Sequence, residues 1–153
     1  MINGMEEFIP RKNMMDLLPN IKRVLASAHA KKTPVIYVVH TTLGKKGTKI
    51  YEEIKKSSSD FLVLKKNYSS FYDTGLEKLL KKLGVKRLIL TGVSTHWCIL
   101  STALDASYRK YEIVLMQDCV AASTKEWHNW AIKWMKDTFD LTITASKSVG
   151  KFL

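Results

Sequence analysis

The stretch Lys86–Ala106, KRLILTGVSTHWCILSTALDA, decides the fold. Leu88-Ile89-Leu90 is continuously apolar between polar neighbours, the pattern of a strand covered on both faces in a parallel sheet. Gly92 ends it. From Trp97 onward Ile99, Leu100, Ala103, Leu104 and Ala106 recur with a helical period, which leaves Gly92–His96 as an elbow between strand and helix. Cys98 therefore stands near the first turn of a helix at the carboxyl end of a strand, where open α/β sheets place their ligands. Unpaired backbone N–H groups and the positive end of the helix dipole favour thiolate over thiol there, and the same N–H groups suit an oxyanion. This is a setting for a nucleophilic thiol. A small buried cysteine fits the same spacing, and spacing alone does not choose between them.

Outward from this unit, strand and helix alternate. Upstream, Leu17, Leu18, Ile21, Val24, Leu25 and Ala28 form the apolar stripe of a helix over Met14–Lys31, with Pro19 tolerated in its first turn or two. Strands come next at Val35–Val39 and Phe61–Leu64, separated by a polar excursion, His40–Ser59, with a short helix near Tyr51–Lys55. Its GKKGTK is not a phosphate loop, because the glycines stand two residues apart where that motif needs four. The helix Leu76–Leu83 stops at Gly84. Downstream come a strand at Tyr111–Met116, a helix capped by Ser123 or Thr124 and running to Lys136, and a last strand at Leu141–Thr144. Residues 1–13 read as a loop. The alternation predicts one domain over residues 1–153, an α/β/α three-layer open sheet, mostly parallel, with right-handed crossovers.

Composition narrows the function. With 46% hydrophobic and 25% charged residues the chain is an ordinary globular one, and no run approaches the roughly 18 apolar residues of a membrane span. No signal peptide is apparent. Two cysteines, Cys98 and Cys119, make no disulfide framework, so the expected location is cytoplasmic. The net charge of +11 raises a nucleic-acid partner, but the lysines are dispersed in pairs such as Lys31-Lys32 and Lys81-Lys82 with no aromatic platform beside them, so a solvated Lys-rich surface is the reading. A small molecule is the expected partner, with neither nucleic acid nor membrane.

The segment TGVSTHWCILSTALDA closely resembles the region around the active cysteine of the isochorismatase-like cysteine hydrolases, a strand followed by T-G-V-(A/S)-T-x-x-C-V-x-S-T-A-x-D-A. The resemblance continues through LKKNYSSFYDTGLEKLL upstream and YEIVLMQDCVAAS downstream, and covers nearly the whole chain. It implies the family's Rossmann-like topology and a Cys-Lys-Asp triad. The lysine stands six residues before the phenylalanine of K-x-x-Y-(S/D)-x-F, which selects Lys65 over Lys66. A cation beside a thiolate stabilises it. The resemblance further implies an oxyanion held by the backbone N–H groups of Ser94 and Cys98, with a cis peptide between Val93 and Ser94. Tyr68, Phe71 and Trp97 would line the substrate pocket, and His40 would reach substrate from its strand end; each aromatic also fits a core position. Thr95 braces the elbow, His96 is structural or at the rim, and Asp105 and Asp118 are structural caps.

Two departures qualify the resemblance. The family's triad aspartate ends a first, central strand, V-(I/V)-D-M-x-N-x-F, whereas Met1-Ile2-Asn3 matches the residues directly after that aspartate. The expectation is that this first strand, and with it the general acid–base, is missing from the sequence. Glu6, Glu7 and Asp16 are candidate substitutes, although each also reads as a solvated surface acid. A sheet without its central strand exposes two unpaired edges, so dimerisation or poor solubility is expected, and a homo-oligomer fits the family. Secondly, nicotinamidases of this superfamily bind a metal through an Asp-x-His pair where this chain has His40-Thr41-Thr42, and the four histidines, His29, His40, His96 and His128, are scattered. No metal and no cofactor are expected. The implied activity is hydrolysis of a C–N bond in a small amide or carbamoyl compound through a thioester. Vinyl ether hydrolysis of the isochorismate type, or a non-catalytic binding or assembly role, stands as the alternative.

Overall fold

Gly84 ends one helix and aims the chain at the sheet. The structure, a computed structural model, describes residues 9–42, 50 and 53–153. Helix α1 (Arg11–Ala30) and strand β1 (Ile36–His40) come first, followed by β2 (Phe61–Lys65), α2 (Leu76–Lys82), β3 (Arg87–Val93), α3 (Leu100–Tyr108), β4 (Glu112–Ala121), α4 (Lys125–Thr138) and β5 (Leu141–Thr144). At the end of α2, Gly84 takes φ +65°, its N–H donates to the Lys81 carbonyl at 3.1 Å, and the Val85 N–H donates to that of Leu80 at 3.1 Å. That left-handed cap favours glycine. Thr124, rather than Ser123, caps α4, accepting from the Trp127 N–H at 3.3 Å.

The elements differ from the sequence expectation in three places. Helix α1 starts at Arg11, three residues before Met14, which puts Pro19 in the helix interior instead of near its start. Strand β4 runs on past Met116 to Ala121 because its register against β3 jumps, Leu90 facing Leu115 while Gly92 faces Val120. The polar pair Gln117-Asp118 lies in that bulge and Cys119-Val120-Ala121 returns to the core. Of the short helix expected near Tyr51–Lys55 and the residue 1–13 loop, residues 51–52 and 1–8 lie outside the described residues; 53–54 form a turn and bend, and 11–13 are helical.

Among the described residues β1–β5 all pair in parallel, in two pieces, β1-β2 and β3-β4-β5. Helix α1 covers one face, where Leu17, Leu18, Ile21 and Val24 pack on Val114 and Met116. On the other face Ala103, Ala106 and Met135 pack on Ile113 and Leu115. Successive β4 residues thus serve opposite layers, and Ile113 through Met116 are at most 1% exposed. The three-layer α/β/α class is the one expected.

Asp118 has the role of a structural cap. Its carboxylate accepts from the Ser146 N–H at 2.8 Å and the Ser146 hydroxyl at 2.7 Å, fixing the short 3-10 turn Ser146–Lys151 beneath α1. Ser146 is 0% exposed. Asp118→Ala leaves both buried donors without an acceptor and is expected to cost about 1–3 kcal/mol, read as a drop in denaturation midpoint at unchanged m-value. Asp105 is held instead by Arg109, at 2.8 Å, which also pairs with Glu77 at 2.9 Å.

Candidate active site

Three strand ends converge on one cavity. β1 and β2 pair residue for residue, so their last residues, His40 and Lys65, stand side by side. Both are buried, at 7% and 5% exposure. The Lys65 Nζ donates to the Tyr68 carbonyl, and the Lys65 carbonyl in turn accepts from the Thr41 N–H at 2.8 Å. The loop carrying Tyr68 is braced onto α3: the Ser70 N–H donates to the Thr102 hydroxyl at 3.0 Å, and the Thr74 hydroxyl donates to the Ser70 carbonyl at 2.6 Å. Tyr68 is thereby presented outward, 57% exposed, with its ring stacked on Trp97 at 6.0 Å.

The third strand end is the elbow. Gly92 takes φ +112°, a region that favours glycine, and the Val93–Ser94 peptide is cis. Ser94 is 0% exposed. The Ser94 carbonyl accepts from the Ile99 N–H five residues on, at 3.1 Å, so Thr95–Ile99 is a π-turn and α3 starts only at Leu100. Cys98 therefore lies in this widened turn ahead of the α-helix rather than inside its first turn. Such π-turns are frequent at functional sites. Cys98 is partly exposed and lines a cavity of about 300 Å³ together with His40, Lys65, Gly92 and Val93. Cys119 contrasts with it: burial, and then the neighbouring Asp118, push its thiol up to about 12, which leaves it protonated and inert.

Tyr68 and Trp97 stack on each other outside the residues that line the cavity, and Phe71 does not join them. Its ring is 5% exposed and sits in the core, with the Arg109 guanidinium 4.8 Å above it and Tyr111 at 5.9 Å. The chain between Tyr68 and Phe71 reverses onto α3, which turns Phe71 inward; a pocket wall at Phe71 is replaced by a core contact. Asp16 is on the surface, paired with Lys12 at 2.6 Å, and Glu6 and Glu7 lie outside the described residues.

The histidines are engaged separately. His29 Nε2 meets Asp60 at 2.9 Å and His40 Nδ1 meets the Thr42 hydroxyl at 3.0 Å. His96 Nδ1 meets the Ser94 hydroxyl at 2.8 Å, and the ring lies between Trp97 at 4.5 Å and Trp127 at 5.4 Å. His128 Nδ1 meets the Thr95 hydroxyl at 3.1 Å, tying α4 to the elbow. Sequence reasoning missed this last residue, because nothing in its spacing links it to Thr95 across a whole βα unit. Among the described residues no group of three His, Cys, Asp or Glu side chains is close enough to hold a metal.

Burial holds His96 and His128 below the ordinary histidine pKa; for His40 burial is the main cause and the Lys65 charge adds to it. In each case the unfolded chain binds a proton more readily than the folded one. Stability should thus be full above the unfolded value of about 6.5 and fall as pH drops below it. Denaturant titrations from pH 8 to 5.5 should show that decline, and His96→Gln or His128→Gln should flatten it.

A family model described as the isochorismatase domain matches residues 2–147. The chain belongs to the isochorismatase family. It is 27% identical to the uncharacterized isochorismatase family protein YaaI of Bacillus subtilis over 90% of this chain and 84% of that protein. It is 28% identical to the ureidoacrylate amidohydrolase RutB of Acinetobacter baylyi over 88% of this chain, but spans only 55% of RutB. The crystal structure of N-carbamoylsarcosine amidase from Thermoplasma acidophilum superposes with a TM-score of 0.81 at 25% identity, over 90% of this chain and 86% of that one. This isochorismatase-like hydrolase family thus supplies amidohydrolase relatives on the same fold.

Proposed function

We propose that this isochorismatase family protein is a cysteine-dependent amidohydrolase, cleaving the C–N bond of a small amide or carbamoyl compound through a thioester. One observation carries the reading: Cys98, in its π-turn, lines the same cavity as the buried cation of Lys65. The Cys98 Sγ attacks the substrate carbonyl carbon, and the oxyanion so formed accepts from the N–H groups of Ser94 and Cys98. Collapse breaks the C–N bond, the amine leaves with the proton given up by the thiol, and water then hydrolyses the Cys98 thioester. Lys65 stabilises the negative charge on sulfur and oxygen, Tyr68 and Trp97 wall the mouth, and His40, kept neutral, contacts substrate from the β1 end. The names of RutB and N-carbamoylsarcosine amidase support a carbamoyl-type substrate. A cytoplasmic homo-oligomer belongs to the same reading.

A second reading, a family member that binds without turnover, is favoured by the partner of Lys65: its Nζ meets a carbonyl oxygen, with no carboxylate beside it among the described residues. Incubation with ureidoacrylate, N-carbamoylsarcosine and simple primary amides separates the two. The enzyme reading expects ammonia or amine release and, in intact mass spectra, an acyl adduct that maps to Cys98. Folded protein that gives neither with any of them leaves the binding role.

A further inference from the structure

We propose that His128 is a positioning residue for the hydrolysis: from α4, through the Thr95 hydroxyl, it holds open the widened turn that aims the Ser94 and Cys98 N–H groups. The oxyanion role of those two groups rests on the proposed function. Thr95 opens the π-turn, in which the Ile99 N–H donates to the Ser94 carbonyl at 3.1 Å and the Leu100 N–H donates to the Thr95 carbonyl. A π-turn is much rarer than the α-turn the same residues could close, so its width calls for contacts from outside the turn. Two come from neighbouring residues of α4. The Trp127 ring stacks at 5.4 Å on His96, whose Nδ1 meets the Ser94 hydroxyl at 2.8 Å, and His128 Nδ1 meets the Thr95 hydroxyl at 3.1 Å. Helix α4 is itself fixed, by the Thr124 cap before it and by Ala131 and Met135, both 0% exposed.

The two contacts are unequal. His96 belongs to the turn and moves with it, whereas His128 is 33 residues from Thr95 and ties the turn to a separate element. Thr95 is 0% exposed, so water does not stand in for the imidazole once it is gone. A buried hydroxyl without a partner, and a turn free to tighten from five residues to four, both shift the amides that follow Ser94. A displacement of about 1 Å at a reacting centre is enough to cost on the order of 10²-fold. His40 and Lys65 reach the cavity from the ends of β1 and β2, apart from the contact between α4 and the elbow. The loss therefore falls on kcat more than on KM. Burial keeps the His128 ring neutral near pH 7, so its Nδ1 accepts from the Thr95 hydroxyl or, in the other tautomer, donates to it. An asparagine side chain places an amide atom where Nδ1 sits, and so can make the same bond.

Amide turnover and reversible trapping of Cys98 by a small aldehyde, propanal, test this on the whole chain. In the trap, sulfur bonds the carbonyl carbon and the thiol proton goes to the carbonyl oxygen, which then sits where the oxyanion would. His128→Ala is expected to lower kcat about 10–100-fold with KM within about twofold, and to weaken aldehyde binding by a similar factor. Iodoacetamide, whose displacement needs no oxyanion hole, should still alkylate Cys98 at the parent rate. His128→Asn should restore turnover and trapping. Thr95→Val should reproduce the loss and Thr95→Ser should not, and the Thr95→Val/His128→Ala double variant should lose no more than either alone. The Thr95 pair carries the test if His128→Ala does not fold. Parent-strength trapping in His128→Ala or Thr95→Val overturns the proposal. So do additive losses in the double variant, or alkylation rates that fall with the rest, which would mean general collapse of the turn. A parent chain that traps the aldehyde and hydrolyses no amide overturns the enzyme reading alone, and trapping across the variants still decides the role of His128. A parent chain that does not trap it overturns the positioning role.

Discussion

Replacing Cys98 by alanine is expected to lower hydrolysis of the best amide substrate by about 10³-fold or more, because the C–S bond of the thioester has no other atom to form on. The thiol is partly exposed and lies in a π-turn held by the backbone of Ser94 and by the His128–Thr95 contact, so the thermal midpoint should move little. The control is Cys119→Ala. That thiol is buried against Asp118 and held protonated, so its loss should leave kcat/KM near the parent value while lowering stability. Alkylation with iodoacetamide should likewise mark Cys98 and spare Cys119 in the native protein. Retained turnover in Cys98→Ala would remove the thioester from the mechanism.

Lys65→Met keeps the length of the side chain and removes its charge, and should reduce kcat/KM by about 10²–10⁴-fold, the range expected when a preorganised cation no longer meets developing negative charge. A second readout ties this to electrostatics. The Lys65 charge is one of the two causes holding His40 down, so in Lys65→Met the His40 titration followed by NMR should move up toward the ordinary value, stopping short of it because burial persists. Lys65→Arg should keep the low His40 value. A kcat/KM loss with an unmoved His40 titration would instead point to collapse of the Tyr68 loop, whose carbonyl is the acceptor for Lys65.

The halves of the site were legible in the sequence to different degrees. The strand, elbow and cysteine of Arg87–Cys98 were readable because an apolar run, a glycine and a helical period succeed one another within a dozen residues, and each is a local steric or hydrophobic rule. Lys65 was not readable that way, since a lysine at a strand end looks like any surface lysine; the family motif singled it out, and burial beside His40 appeared only once β1 and β2 paired. Phe71 shows the converse. Its motif placed it in the pocket, but the hydrogen bonds of Ser70 to Thr102 turn the loop so that the ring enters the core.

The order of elements, the layer class and the family were therefore determined by the sequence itself, since all of them rest on periodicity and motifs confined to short stretches. Tertiary structure decided the rest. It set the π-turn that carries Cys98, the pairing of His40 with Lys65, and the His128 brace on the elbow. Each depends on contacts between residues far apart in the chain, whose energies are set by burial and hydrogen-bond geometry and leave no period in the sequence.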